Sequence, residues 1–254
     1  MAVVNSFLWL IAYSFGGWVY ESALCSAREK RFVNRGFLNG PLCPVYGFGA
    51  LALVLTLYGR LENVFLLFIA GMALTCAVEY VTAVILEVVF RAKWWDYSSH
   101  RFNLHGRICL AGALAFGAFA VVLIRYIHPF VLGVTDTVPR DVRVTLAVGI
   151  AVLTASDLFI TVRHLLRLNN RLAEIQAALD SFLAPYAKRA EEITSALMEK
   201  FESSEFYSER ISKLLSFSRI QTGRIAKAFP KLRPLNYNDA WEKMKQRIFR
   251  NGKS

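Results

Sequence analysis

The sequence predicts an all-α polytopic membrane helix bundle of about five transmembrane helices, followed by a cytoplasmic, helical and partly coiled-coil tail. Three observations predict it. Only 19% of the 254 residues are charged and 55% are hydrophobic, against roughly 25% and 45–50% in soluble domains. The charge is unevenly placed: residues 1–162 hold 12 Lys/Arg and 9 Asp/Glu, whereas residues 163–254 hold 18 and 10. The uncharged stretches are also long enough to span, since a hydrocarbon core takes about 20 mostly apolar residues in helical form.

The apolar stretches are Val3–Cys25, Pro41–Tyr58, Val64–Phe90, Ile108–Val134 and Val142–Val162. The second is the shortest and starts with Pro41 and Pro44, which a first helical turn tolerates because its N–H groups have no intrahelical partner. If it is re-entrant, four spans remain. The third and fourth exceed the minimum, which predicts tilt or interfacial ends. No basic region precedes the first stretch, so a cleaved secretory signal is not expected and the first helix stays.

Orientation follows from the loops. Residues 26–40 carry Arg28, Lys30, Arg31 and Arg35; residues 91–107 carry Arg91, Lys93, Arg101 and Arg107; Arg163, Arg167 and Arg171 follow the fifth stretch. The opposite side has Arg60, Arg140 and Arg143, a ratio of eleven to three. The positive-inside rule then predicts a multi-pass protein of the cell membrane with its N-terminus outside and its tail in the cytoplasm. The basic tail is explained by anionic headgroups rather than by nucleic acid. Cys25, Cys43, Cys76 and Cys109 show neither CxxC spacing nor a His/Cys metal pattern, and read as reduced thiols.

The two basic loops resemble each other. At an offset of 66, Glu21 aligns with Glu87, Arg35 with Arg101, Leu38 with Leu104, Gly40 with Gly106 and Cys43 with Cys109. This is the pattern of a duplicated helical hairpin, an arrangement that transporters use. The tail continues the fifth helix. Leu165, Leu168, Leu172, Ile175, Leu179 and Phe182 form an a/d stripe, and Pro185 ends or kinks it. A second amphipathic region, with Ile193, Leu197, Phe201, Ile211, Leu214 and Ile225, runs to about Phe229. Beyond Pro230 and Pro234, Asn238 caps a short helix with Trp241, Met244 and Ile248. Its basic face suits either anionic lipid or packing on the rest of the tail.

Charges within a bilayer are costly, roughly 2.5–3.5 kcal/mol at its centre, and point to function. Glu79 lies well inside the third stretch, and Glu87 falls eight residues later on the same face. Glu21 and Asp157 lie towards the same side, and Arg35, Arg101 and Arg107 are the natural counter-charges. The Trp94-Trp95-Asp96-Tyr97 run reads as an interfacial aromatic belt with a further acid. Arg125 and His128 read as snorkelling residues at the outer end. The Gly/Pro/Asn-rich stretch 34–49 reads as a tight loop entering a helix whose Gly47 and Gly49 let helices approach. Candidate substrate- or ion-binding residues are therefore Glu21, Asn34, Arg35, Cys43, Glu79, Glu87, Asp96, Asn103 and Arg107. We expect Glu21, Glu79, Glu87, Arg35, Asp96 and Arg107 to converge on one polar cavity. No catalytic spacing is recognisable.

Gly17-Trp18 with Glu21, the NRGFLNGPLCPVYGFGA stretch at 34–50, Glu79-Tyr80, Leu86-Glu87, WWDYS at 94–98 and FNLHGRICL at 102–110 occur in order. Together they resemble the CmpB-like proteins, described as ABC-transporter permeases of type IV with related eukaryotic transmembrane proteins. The resemblance covers roughly residues 17–117 and leaves out the tail. It implies that Glu21, Asn34, Arg35, Gly36, Gly40, Pro41, Glu79, Glu87, Trp95, Asp96, Asn103 and Arg107 stand at motif positions, and it assigns none of them a role. A transporter or transporter subunit is the first reading. The chain has no GxxxxGK[ST] loop, so ATP-driven transport would need a separate ATPase chain. Five helices are few for a complete path, which favours a homo-oligomer or other membrane subunits. Two further classes stay open: a membrane-embedded enzyme acting on a lipid or small amphiphile at the cytoplasmic leaflet, and a scaffold with a partner-binding tail.

Overall fold

A computed structural model describes residues 1–183, 219–237, 241, 242 and 245. They form two compact units: Met1–Val89 with Trp94–Val162, and Phe90–Lys93 with Arg163–Ser254.

The first unit is a bundle of apolar helices. Helix α1, Ala2–Glu29, ends at Lys30 in the left-handed conformation. Helix α2, Pro44–Leu57, begins with proline in its first turn after Cys43. Helix α3 is Val64–Phe90. Helix α4, Leu110–Val122, continues through a π-helical turn, Leu123–Ile127, into α5, His128–Thr137. Helix α6, Arg140–Leu183, runs on from this unit into the second. Among the described residues, four helical stretches are long and apolar enough to cross a membrane: Ala2–Glu29, Val64–Phe90, Leu110–Thr137 and Arg140–Glu174. The 14-residue α2 is not one of them, since its rise of about 21 Å falls short of a hydrocarbon core about 30 Å thick.

The helices meet around Tyr13, Leu53, Val54, Leu67, Ala120, Leu123 and Ile124. Their outer faces stay apolar, with Val152, Leu153 and Phe159 of α6 all exposed. This is the inverse of a soluble protein and suits a lipid surround. Small residues set the helix spacing. A Cβ on Gly47 would run into the Leu10 carbonyl and the Ser14 hydroxyl, and one on Gly17 into the Tyr46 ring. Gly117 lies against Phe68 in the same way. Gly49 is buried, yet a Cβ there would meet nothing within 4 Å, so the close-packing expectation holds for Gly47 and not for Gly49.

The loop between α3 and α4 contains a ladder that helical periodicity does not predict. Strand β2, Asn103–Leu104, pairs antiparallel with β3, Ile108–Cys109. His105 and Gly106 both have positive φ, 53° and 69°, and the Arg107 N–H donates to the Leu104 carbonyl. This is the backbone of a primed hairpin turn, in which glycine carries one left-handed position without strain.

In the second unit, β1, Ala92–Lys93, pairs with β4, Arg233–Pro234, and helix α7 is Arg219–Ala228. Leu165, Leu168 and Leu172 of the predicted stripe are buried, together with Ile225, Ala226, Leu232 and Trp241. The Trp241 indole donates to the Leu232 carbonyl at 2.9 Å, which places this tryptophan in packing rather than on a free amphipathic face. The side chains of Ile175, Leu179 and Phe182 lie outside the described residues, as do Pro185, the 193–214 region, Asn238, Met244 and Ile248.

Candidate functional site

The loop after α1 folds back over that helix because short polar side chains hold its backbone. The Ser26 hydroxyl accepts from the Val33 N–H and the Ser22 hydroxyl from the Arg35 N–H. Asn34 is the hub of the turn. Its carbonyl oxygen accepts from the Trp18 indole at 2.8 Å and from the Gly36 N–H at 3.0 Å, and its amide donates to the Asn39 carbonyl. Asp157 of α6 then clamps the far end. It accepts from the Asn39 and Gly40 N–H groups at 3.1 and 2.7 Å, from the Asn39 amide at 2.8 Å and from the Thr161 hydroxyl at 3.1 Å. Asp157 is one of the four acids expected near the inner side; these donors make it a loop anchor. The Cys43 N–H donates to the Ser14 carbonyl, and its thiol is buried beside the Arg35 carbonyl.

The clamped loop brings Arg35 to Glu21, with Nε 3.4 Å from Oε2. The other oxygen of Glu21 accepts from the Tyr46 hydroxyl at 2.5 Å. Glu79, 9% exposed, accepts from Tyr97 at 3.4 Å and has no cationic partner among the described residues. Burial first, and then the Glu79 charge, push the Tyr97 phenol well above its ordinary range, so it remains a hydroxyl donor.

The second loop covers the face of α3 that carries Glu79 and Glu87. Arg107 meets Glu87 with Nη2 at 2.6 Å and Nε at 3.2 Å, and donates to the Tyr80 hydroxyl at 3.0 Å. His105 Nδ1 lies 3.1 Å from the same hydroxyl. Asp96 and Asn103 shape the loop. Asp96 accepts from the N–H and hydroxyl of Ser98. Asn103 accepts from the Gly106 N–H and donates to the His100 carbonyl. Glu87 lies about 12 Å further along α3 than Glu79 at a helical rise of about 1.5 Å per residue. The named contacts thus bring together Glu21 with Arg35, Glu87 with Arg107, and Glu79 with Tyr97.

Several side chains depart from expectation. Arg101 stacks over the Phe102 ring and pairs with no carboxylate among the described residues. The expected aromatic belt divides: Trp94 is buried against Phe37, while Trp95 donates to the Arg107 carbonyl. Of the two residues expected to snorkel, His128 is the one that does not. Arg125 donates to the Glu62 carbonyl. His128 is 1% exposed, hydrogen-bonded to the Tyr13 hydroxyl at 2.7 Å and edged by Trp9 and Tyr58. The tyrosines on the carboxylates and on Arg107, Tyr46, Tyr97 and Tyr80, escaped the list of candidates. The available signal was their place within the three motif runs that also contain candidate residues.

The offset of 66 also acquires a structural meaning. Cys43 and Cys109 each immediately precede the helix that follows their loop, and each loop supplies an arginine to the glutamate of the helix before it. The arginines are not equivalent in the alignment, since Arg35 aligns with Arg101 and Glu87 takes Arg107.

The model of a family described as Putative ABC-transporter type IV matches residues 8–162, which is 155 of the 254 residues and includes all nine candidates. The chain belongs to this family. The match takes in both hairpins and the first part of α6, and the family together with the chain's apolar helices fits a transporter-like membrane protein. No curated protein and no solved structure matches the chain.

Proposed function

We propose that this protein is a permease, acting as a transporter or a transporter subunit, whose polar site is the Glu21–Arg35–Tyr46 group with Glu79 and Tyr97. The observation that carries the reading is Glu79: a carboxyl 9% exposed, in the interior of a helix long enough to span. Ionisable groups at such depth are expensive and mark solute or ion pathways. Glu87–Arg107, with its three close contacts, is the tighter pair, and we assign it to holding the second loop on α3. ATP-driven transport would take its ATPase from another chain, and a complete path would take further copies or other membrane subunits.

Transport is tested in sealed vesicles containing the purified protein, incubated with a cell extract and analysed by untargeted mass spectrometry. At least one solute should be taken up over protein-free vesicles, and Glu21→Gln should abolish that uptake while the protein still reconstitutes. Equal contents in loaded and protein-free vesicles would overturn the reading.

We also propose an outer N-terminus and a cytoplasmic tail, on the eleven-to-three loop bias. A C-terminal fusion should be active with a reporter that works only in the cytoplasm and silent with one that works only outside. The reverse pattern would invert the assignment.

A further inference from the structure

The hairpin of the second loop leaves its two largest apolar side chains uncovered. Phe102 is 70% exposed and Leu104 51%, while Gly106 and Cys109 of the same hairpin are buried. Phe102 has a φ of 58°, a conformation that bulky side chains rarely adopt, and its carbonyl accepts from the Leu110 N–H at 3.0 Å. Backbone strain of this kind persists where the surrounding structure imposes it, and it gathers at functional sites.

The hairpin lies along α3 rather than standing out in water. Arg107 reaches both Tyr80 and Glu87, and His105 reaches Tyr80. At a rise of about 1.5 Å per residue, the stretch from Tyr80 to Glu87 is about 4–15 Å short of the end of α3 at Phe90. The 27 residues of α3 extend about 40 Å, against a hydrocarbon core about 30 Å thick. This stretch therefore spans the boundary between headgroups and acyl chains. Val81 and Val88, directly after the two contact residues, are exposed with Ile85 between them, so the apolar outer surface of α3 continues up to the hairpin. Arg101 adds a charge there. Its guanidinium lies 5.4 Å from the centre of the Phe102 ring and meets no carboxylate among the described residues. A cation held on an aromatic ring at this boundary stands at the height of the lipid phosphates.

We propose that the hairpin is an anchor for anionic phospholipid. Phe102 and Leu104 insert beneath the headgroups of the leaflet on their side, and Arg101 takes a phosphate. The turn between the same two strands carries Arg107 to Glu87, so a bound headgroup also braces the loop that closes this ion pair. Neither transport nor catalysis requires such an anchor, and it stands or falls apart from the permease reading.

The full chain is reconstituted in phosphatidylcholine vesicles that contain a trace of either phosphatidylglycerol or phosphatidylcholine carrying a photoreactive diazirine high on one acyl chain. After illumination, trypsin releases Phe102–Arg107 as one peptide, because Arg101 and Arg107 bound it, and mass spectrometry locates the lipid adduct. The phosphatidylglycerol probe should mark Phe102 or Leu104 about fivefold more than the phosphatidylcholine probe, the attraction expected of one basic residue at an anionic surface. Added salt should shrink the excess. Arg101→Gln should bring the two probes level, read on the longer peptide that then begins at Trp94. Phe102→Ser combined with Leu104→Ser should lower the adduct from both. Should that double variant fail to fold, Arg101→Gln, at an exposed position, carries the test. Labelling of α3 without labelling of the hairpin would overturn the proposal and give this face to water, a second copy or another protein. Equal labelling of wild type by the two probes would overturn it too, as would a preference that survives Arg101→Gln.

Discussion

Gly47→Ala should destabilise the protein by about 2–3 kcal/mol, read as a fall in the thermal unfolding midpoint of the detergent-purified protein. A single added methyl has nowhere to go, because its nearest atoms are the Leu10 carbonyl oxygen and the Ser14 hydroxyl. The first belongs to the backbone of α1 and cannot rotate away, so the helices must part, and overpacking of this kind costs about 1–3 kcal/mol. The Ser14 carbonyl also accepts from the Cys43 N–H, so parting α1 from α2 strains the end of the first loop as well. Gly49→Ala is the control. The new methyl meets nothing within 4 Å, and alanine is favoured over glycine in a helix by about 0.5–1 kcal/mol. It should leave the midpoint unchanged or raise it. Equal losses at both positions would show that glycine acts there through something other than helix contact.

Asp157→Ala should lower stability by about 3 kcal/mol and detach the first loop. Four donors converge on this carboxylate, two of them backbone N–H groups, and hydrogen bonds to a charged group contribute about 1.5–3 kcal/mol each where water does not replace them. Partial exposure of the site keeps the expected total well below the sum of the four. Asp157→Asn preserves the shape and one acceptor, so its loss should be about half as large. Limited proteolysis between Arg31 and Arg35 reports on the loop directly: cleavage should accelerate in the alanine variant and less in the asparagine one. An alanine variant that resists protease like wild type would mean that the Trp18–Asn34 hub holds the loop by itself.

The helices were legible in the sequence because a bilayer imposes a coarse rule, a long uncharged run, that survives ignorance of packing. The start of α3 at Val64 and its end at Phe90 coincide with the apolar stretch. Helix α2 was less legible, since hydropathy registers Pro41–Tyr58 as apolar without revealing that Pro41–Cys43 belongs to the loop. That arginines of the two basic loops would meet the acids of α1 and α3 could be anticipated from the cost of a buried charge. What charge arithmetic cannot supply is which arginine reaches which acid. Arg107 reaches Glu87 through a hairpin whose signal is the His105-Gly106 pair, while Arg101 lies beyond the far strand, over Phe102. His128 was misread because a polar residue near the end of an apolar run has two low-energy solutions. It can reach the interface, or it can find a partner inside, and Tyr13 comes from a helix more than a hundred residues away.

The π-helical turn at Leu123–Ile127 changes how the fourth hydrophobic stretch has to be read. Such a turn accommodates one residue more than an α-helical turn would, and one residue amounts to about 100° of rotation. A helical wheel drawn through residues 110–137 at constant pitch is therefore correct on one side of the turn and about a quarter-turn out of phase on the other. Gly117 and Ala120 on one side and His128 and Thr135 on the other are all buried, and their relative angle has to be read through the turn rather than off a regular wheel. In a relative whose helix is regular through this segment, the turn would correspond to one residue fewer between Val122 and His128.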